Sequence, residues 1–358
     1  MEIRFSYSRL LSFSERVFCA MGCSEADAAL AAEVLLSADL RGVDSHGVAR
    51  LSGYVRLWEA GRICATPDIR IVHETPSTAT VDGGGGLGLV VAPFAMRVAM
   101  DKARQTGSGW VSVRNSNHFG IAGRHAMQAL GEDMIGIAMT NASPLVAPTF
   151  SRERMLGTNP IAVAVPAGEE PPFVADFATT TAANGKLEML QRRGEQAPLG
   201  WVQDAAGQPS TDPHVLKQGG ALLPLGGDRE HGSHKGYCMG AIVDLFSAVF
   251  SGANYGPWAP PFVSFLPLAD DPVGEGLGHF FGAMRADGFR PLEDFKQHMD
   301  RWIRRFRSAT PVAGQERVLI PGDPEREAEG VRREAGIALL QPVAADLGQL
   351  AEKFGLEL

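Results

Sequence analysis

An α/β fold framed by helices follows from three observations on this 358-residue chain: a helical opening, a middle in which short β-rich runs alternate with helical ones, and a helical close. The opening comprises residues 7–21 and then Ser24-Glu25-Ala26-Asp27, a capping-box-like start to a long alanine- and leucine-rich segment ending near Arg41. From Ile69 the pattern changes to short β-rich runs. Residues 78–81, 110–113, 135–140, 161–165 and 173–175 read as strands, and 280–284 as another. Between the last two, the proline-rich stretch 254–275 reads as a surface excursion. Residues 292–307, 325–334 and 343–354 return to helical composition. The expected organisation is an N-terminal helical unit (1–70) packing with C-terminal helices (285–358), and an α/β sheet domain (71–284). No internal repeat or low-complexity tract interrupts it.

Composition narrows the function. With 45% hydrophobic residues, 21% charged and a net charge of −8, the chain is ordinary for a globular protein, and the charge argues against nucleic acid as its main partner. Cys19, Cys23, Cys64 and Cys238 form no C-x-x-C pair, and no secretory leader opens the sequence, so the expected home is the reducing cytoplasm. Residues 236–253 are apolar apart from Asp244 and a few small polar residues. That is too short and too polar for a membrane span, and a buried helix is the expectation.

Gly83, Gly85 and Gly88 fit G-x-G-x-x-G after a strand and before a helix at 92–103. The match lies in a run of five glycines among six residues, and Asp101, about the right distance on, falls on that helix instead of ending a second strand. A flexible glycine turn that lets a backbone approach a ligand or a neighbouring element closely is the preferred reading.

Chemistry concentrates at two histidines, in Asp44-Ser45-His46-Gly47 and Ser116-Asn117-His118-Phe119-Gly120. Val48, Leu51, Tyr54, Val55 and Trp58 have helical spacing and end at Gly61, which predicts Asp44 or Ser45 as N-cap, His46 in the first turn, and Arg50 one turn on along the same face. An imidazole beside a guanidinium suits a substrate that carries a carboxylate next to a carbon centre exchanging a proton. His118 falls at a strand-to-helix turn, where the positive helix end favours a neutral ring. Each histidine taken alone more often caps a helix or bonds a loop; two in similar turns point to an enzyme. A metal site at His231-x-x-His234 with Asp228 is disfavoured, since no compact ligand set appears.

Five motifs in order, Arg41-Gly42-Val43-Asp44-Ser45-His46-Gly47, Asn115-Ser116-Asn117-His118-Phe119-Gly120, Thr140-Asn141-Ala142-Ser143-Pro144, Gly157-Thr158-Asn159-Pro160 and His234-Lys235-Gly236-Tyr237, resemble the malate/L-lactate dehydrogenase family that is unrelated to Rossmann lactate dehydrogenases. The resemblance runs nearly end to end. It implies a non-Rossmann fold with a mixed seven-stranded sheet flanked by helices, and a homodimeric oxidoreductase using NAD or NADP on small 2-hydroxy or 2-oxo acids. It implies His46 or His118 as proton donor or acceptor. Its cofactor site maps onto Asp176, Phe177, Ala178, Thr179 and Thr180, onto His234 and Lys235, and onto Pro321, Gly322 and Asp323; many relatives have glutamate at the last position. Lys186 and Lys235 offer charge for a pyrophosphate. Arg50 as carboxylate clamp, with Thr158 and Asn159 bonding the substrate's oxygens, completes the expectation. Reduction of a cyclic imine carboxylate is the alternative chemistry, and which acid is used is set by side-pocket residues.

Overall fold

A computed structural model describes residues 2–358. The chain opens with a short strand, β1 (Glu2–Phe5), and three helices, α1 (Tyr7–Ala20), α2 (Glu25–Leu40) and α3 (Leu51–Glu59). Serine caps set the first two starts: Ser6 Oγ accepts the Arg9 N–H, and Ser24 Oγ accepts the Asp27 N–H at 3.1 Å. Phe13, Phe18, Leu35, Leu36 and Tyr54 from these helices share one buried cluster with Ile337, Leu347 and Leu350 from the chain's end.

The central sheet follows: β2 (Arg70–Glu74), β3 (Thr78–Asp82), helix α4 (Gly88–Thr106), β4 (Ser108–Ser116), the short helix α5 (Ala122–Ala126), β5 (Met134–Thr140), β6 (Ile161–Val165) and β7 (Phe173–Phe177). Next come α6 (Asn184–Arg193), a small sheet of β8 (Val202–Gln203), β9 (Pro209–Ser210) and β10 (Ala221–Leu222), and α7 (Ser233–Asp244). The chain then returns as β11 (Leu277–Arg285), α8 (Leu292–Arg307), α9 (Asp323–Ala335), β12 (Ile337–Leu340) and α10 (Gln341–Phe354). The seven-stranded order is β2-β3-β4-β11-β5-β6-β7, parallel only between β3 and β4, so the sheet is mixed and not a doubly wound Rossmann sheet. β11 enters its centre from the far end of the sequence. Residues 277–283 are buried without alternation, as a strand covered on both faces requires. β1 pairs with β12, tying the two ends of the chain together. Helix α8 lies elsewhere: its Asp300 carboxylate accepts the N–H groups of Gly168, Glu169 and Glu170 in the β6–β7 turn, and Trp302 meets Phe173 edge-on.

The glycine run supports a turn. A Cβ on Gly88 would lie 2.1 Å from the Asn117 carbonyl oxygen and 2.6 Å from that of His118, and Gly84 and Gly85 have positive φ. Asn117 Nδ2 donates to the carbonyls of Gly85 and Gly86, each at 3.0 Å. The glycines are therefore the floor under the Asn117–His118 turn.

Two expectations need correction. Residues 236–253 do not form a buried helix: α7 continues through a wider turn at Leu245–Val249, and Ile242, Leu245, Val249 and Phe250 make an exposed apolar face, Phe250 at 61%. Nor is 254–275 merely a surface excursion. It carries Phe262 inward, where the Phe262 N–H donates to Ser143 Oγ at 2.9 Å and its carbonyl accepts from Arg56. Among the described residues no helix is long and apolar enough to cross a membrane.

Candidate active site

His46 lies ahead of its helix, not in the first turn. Residues 41–47 form a turn, a single 3-10 turn occupies Val48–Arg50, and α3 begins at Leu51. The cap is remote in sequence: the Asp39 carboxylate, at the end of α2, accepts the Val48 N–H at 2.8 Å. Neither Asp44 nor Ser45 caps; Asp44 pairs with Arg332, while the Ser45 hydroxyl lies 2.8 Å from His46 Nδ1. Arg50 is nonetheless brought back onto the turn, its Nε donating to the Ser45 carbonyl at 2.5 Å.

His118 stands between β4 and α5 as predicted, and the two imidazoles meet. Their centroids are 5.6 Å apart with planes inclined by 25°. The Tyr54 hydroxyl lies 2.6 Å from His118 Nδ1, and the Phe262 ring covers His118 with centroids 4.8 Å apart. Gly53 makes room for that ring, since a Cβ there would lie 2.5 Å from it. Behind the site, His279 on β11 bridges Ser116 Oγ at 2.8 Å and Thr140 Oγ1 at 2.7 Å, fixing the end of β4.

Desolvation dominates the electrostatics. It pushes His46 down to about 4, with Arg50 reinforcing the effect, and it holds His118 well below the usual imidazole range, with His46, Arg50 and His279 adding to it. Both rings are neutral at pH 7. For His118 the sequence led to the same protonation state by a weaker cause, because α5 is too short for its end to outweigh burial. Burial likewise keeps the Tyr54 phenol protonated.

A cleft of about 420 Å³ opens beside His46, lined by Ser45, Thr158, Asp176, Phe177, Ala178, Thr180 and Lys186 among others. Asp176 Oδ2 accepts the Gly123 N–H at 2.7 Å. The cleft also takes in Arg41 and Glu325, which sequence reasoning missed. Thr179 points away from it, its hydroxyl 3.1 Å from the carbonyls of Thr158 and Asn159. Asn159 is wholly buried: its Nδ2 donates to the Gly240 carbonyl at 2.9 Å, while its Oδ1 takes no hydrogen bond among the described residues. Arg50 faces the adjoining hollow with Arg56, Glu188 and Phe262, and its guanidinium is 4.0 Å from Glu188.

The other predicted cofactor residues stand off the cleft. Lys235 is exposed, and His234 Nδ1 lies 3.1 Å from the Arg229 guanidinium; both are one step removed, through Gly236 packed on the cleft residue Leu225. Pro321 and Gly322 pack on Val174, the Pro321 carbonyl accepting the Val174 N–H at 3.0 Å. Asp323 is engaged by Arg307 and Arg326, each at 3.1 Å, and by the Ile320 N–H, so Glu325 supplies the carboxylate that the cleft sees. His231 turns to Asp228, and among the described residues no group of three or more His, Cys, Asp or Glu is placed to hold a metal ion. Tyr54, Asp39 and Phe262 carry no recognisable sequence signal as site residues; Tyr54 reads as one more apolar position of a helix.

Known proteins are similar to this chain in sequence and fold. Residues 5–348 match the family model described as malate/L-lactate dehydrogenase. The malate dehydrogenase of Pyrococcus horikoshii is 42% identical over 99% of this chain and 96% of its own length. A Δ1-pyrroline-2-carboxylate/Δ1-piperideine-2-carboxylate reductase of Pseudomonas putida is 35% identical over 71% of this chain and 72% of its own. The crystal structure of malate dehydrogenase from Entamoeba histolytica superposes with a TM-score of 0.92 at 33% identity, covering 100% of this chain and 99% of that one. Matched by the family model over most of its length and similar to these relatives in sequence and fold, the chain belongs to the malate/L-lactate dehydrogenase family of oxidoreductases.

Proposed function

We propose that this enzyme interconverts a small 2-hydroxy acid and its 2-oxo acid with NAD or NADP. The observation that carries the reading is the stacked His46–His118 pair with Arg50 brought back onto the His46 turn, His46 itself lining a cleft suited to a nucleotide. The cleft fits such a cofactor chemically: Arg41 and Lys186 complement a pyrophosphate, Asp176 and Glu325 can accept from ribose hydroxyls, and Val174, Ile121 and Leu225 offer apolar walls. When bound, the nicotinamide supplies or takes the hydride, which no side chain of the protein can. Arg50 holds the substrate carboxylate as a fork donor, exchanging its distant Glu188 partner for a closer one. Thr158 bonds a substrate oxygen from the cleft wall, and His46 or His118 exchanges the proton on the carbonyl or hydroxyl oxygen. Phe262 and Tyr54 exclude water from that exchange. The apolar face at Ile242, Leu245, Val249 and Phe250 supports a homodimer, and the unpaired cysteines support a cytoplasmic setting.

The Pseudomonas putida relative favours one second reading, reduction of a cyclic imine carboxylate, which uses the same clamp and cofactor. A single assay separates the two: oxidation of NADH or NADPH followed by absorbance with a panel of 2-oxo acids and one cyclic imine carboxylate. Turnover of an oxo acid supports the first reading and turnover of the imine alone the second. Silence without cofactor binding sinks both. In the active assay His46→Ala and His118→Ala are each expected to lower turnover by ~10²- to 10⁴-fold while NADH still binds by fluorescence titration; full turnover by either variant removes that histidine from the chemistry.

A further inference from the structure

We infer that Tyr54 is a positioning residue that locks His118 in the tautomer with its proton on Nε2, so that the ring meets a substrate oxygen as a hydrogen-bond donor. Gly120, at φ +80° in the left-handed region that suits glycine, directs its N–H at His118 Nδ1 over 3.4 Å. That amide hydrogen cannot turn away, and an N–H facing an N–H is repulsive, so Nδ1 presents its lone pair. The Tyr54 hydroxyl at 2.6 Å from the same nitrogen must then donate. Its other acceptor in reach, the His118 carbonyl, is 3.4 Å away. Two donors converge on Nδ1, and the single proton of the neutral ring sits on Nε2. Nε2 takes no protein hydrogen bond among the described residues and is left for a ligand.

Tyr54 is well built for this task. It is completely buried on α3, flanked by Phe18 and Phe262, so no water competes for its hydroxyl and its ring has no room to swing. The groups facing His118 are His46 stacked on it, Arg50 on the 3-10 turn, Tyr54 on α3 and His279 on β11. Each of the three ionisable neighbours opposes a second proton, and Tyr54 favours the neutral ring by donating to it. His46 has no comparable lock. Its Nδ1 meets the Ser45 hydroxyl, which rotates between donor and acceptor and accepts either tautomer. The consequence for reaction is geometric: with Nε2–H presented, the carbonyl oxygen of an oxo acid is attracted, whereas the opposite tautomer would set a lone pair against it. This last step rests on the dehydrogenase reading; the tautomer does not.

Nitrogen-15 NMR of the full chain labelled at histidine tests the lock without any ligand, with His118→Gln used to assign the signal. The wild-type protein is expected to show His118 as one tautomer, Nδ1 unprotonated and Nε2 protonated, unchanged between about pH 5 and pH 8. Tyr54→Phe, which deletes only the hydroxyl, is expected to give mixed tautomers and to raise the ring's titration point by about one pH unit, the worth of one hydrogen bond to the neutral form. The corresponding limb of the kcat/KM profile should move with it. A protonated Nδ1 in the wild-type protein overturns the inference, as does a variant whose tautomer and titration are unchanged or whose titration point falls. The wild-type measurement decides the tautomer even if the variant fails to fold. A locked tautomer in a protein that turns over no 2-oxo acid would leave the inference standing and remove the dehydrogenase reading.

Discussion

The His46 turn and the His118 turn resemble each other in sequence, yet different physics anchors them. The first hangs on one ionisable group. Asp39, buried at the end of α2, holds the Val48 N–H, and Gly47 lies so close that a Cβ there would fall 2.0 Å from its carboxylate. The second rests on backbone: β4 is paired to β3 and β11, Asn117 is hooked onto two glycine carbonyls, and α4 presses Gly88 against the turn. One turn can therefore respond to pH through its anchor, while the other is fixed chiefly by backbone packing, with His279 held in its neutral form by burial. A pair of stacked rings with one rigid member and one adjustable member results.

The rigid turn is the more easily disrupted of the two. Gly88→Ala places a methyl group against two carbonyl oxygens that belong to backbone, and we expect a loss of about 3 kcal/mol in stability by urea unfolding. An unchanged unfolding midpoint would mean that the glycine floor does not support His118.

The second effect is on pH dependence at the adjustable turn. Burial, helped by Asp44, pushes the Asp39 carboxyl up to about 8 from an ordinary 3.8, against the lowering effects of the Val48 N–H and Arg332. Between those values the folded protein binds a proton that the unfolded chain has released. Asp39 therefore contributes most stability below about pH 4 and progressively loses it as pH rises through 8. We expect the wild-type protein to lose stability across that window through this group, at up to about 1.4 kcal/mol per pH unit, and Asp39→Asn to lack the slope while keeping a side-chain acceptor for Val48. Urea midpoints measured at several pH values check it, and parallel curves for the two proteins would show that Asp39 is not the titrating anchor.

The smallest effect belongs to Ser45→Ala. Losing a rotatable hydroxyl on a partly exposed ring should cost about 1 kcal/mol or less in stability. It should also leave the His118 tautomer as it was. A shift in the His118 nitrogen signals would show that the two rings are not anchored independently.

Much of the fold was legible because local signals agreed with tertiary placement. Strands at 161–165 and 135–140 were apparent from short β-rich runs, and helix α2 from its capping-box-like start at Ser24. Helix α6 was not read, since Ala183 at its start gives no cap and its few apolar residues, Leu187, Met189 and Leu190, are set among polar ones. The two-residue strands β8 to β10 are below any periodic signal, and β1 gains its status only by pairing with β12 across most of the chain. At the site, the histidines and Arg50 stood out as residue types in small polar turns. Asp39, Tyr54, Phe262 and Glu325 did not, because each matters through a neighbour far away in sequence.

The sequence by itself determined the class of sheet, the family, and the residues proposed to hold a carboxylate and move a proton, because these rest on residue type, short-range spacing and motif order. Tertiary structure alone decided that β11 enters between β4 and β5, that the imidazoles stack, that Asp323 is spent on two arginines while Glu325 faces the cleft, and that a buried phenol lies on His118. Hydrogen bonds and desolvation act over a few ångströms of space, whatever the separation along the chain, so the protonation and orientation of each group become fixed only when the fold has closed around it.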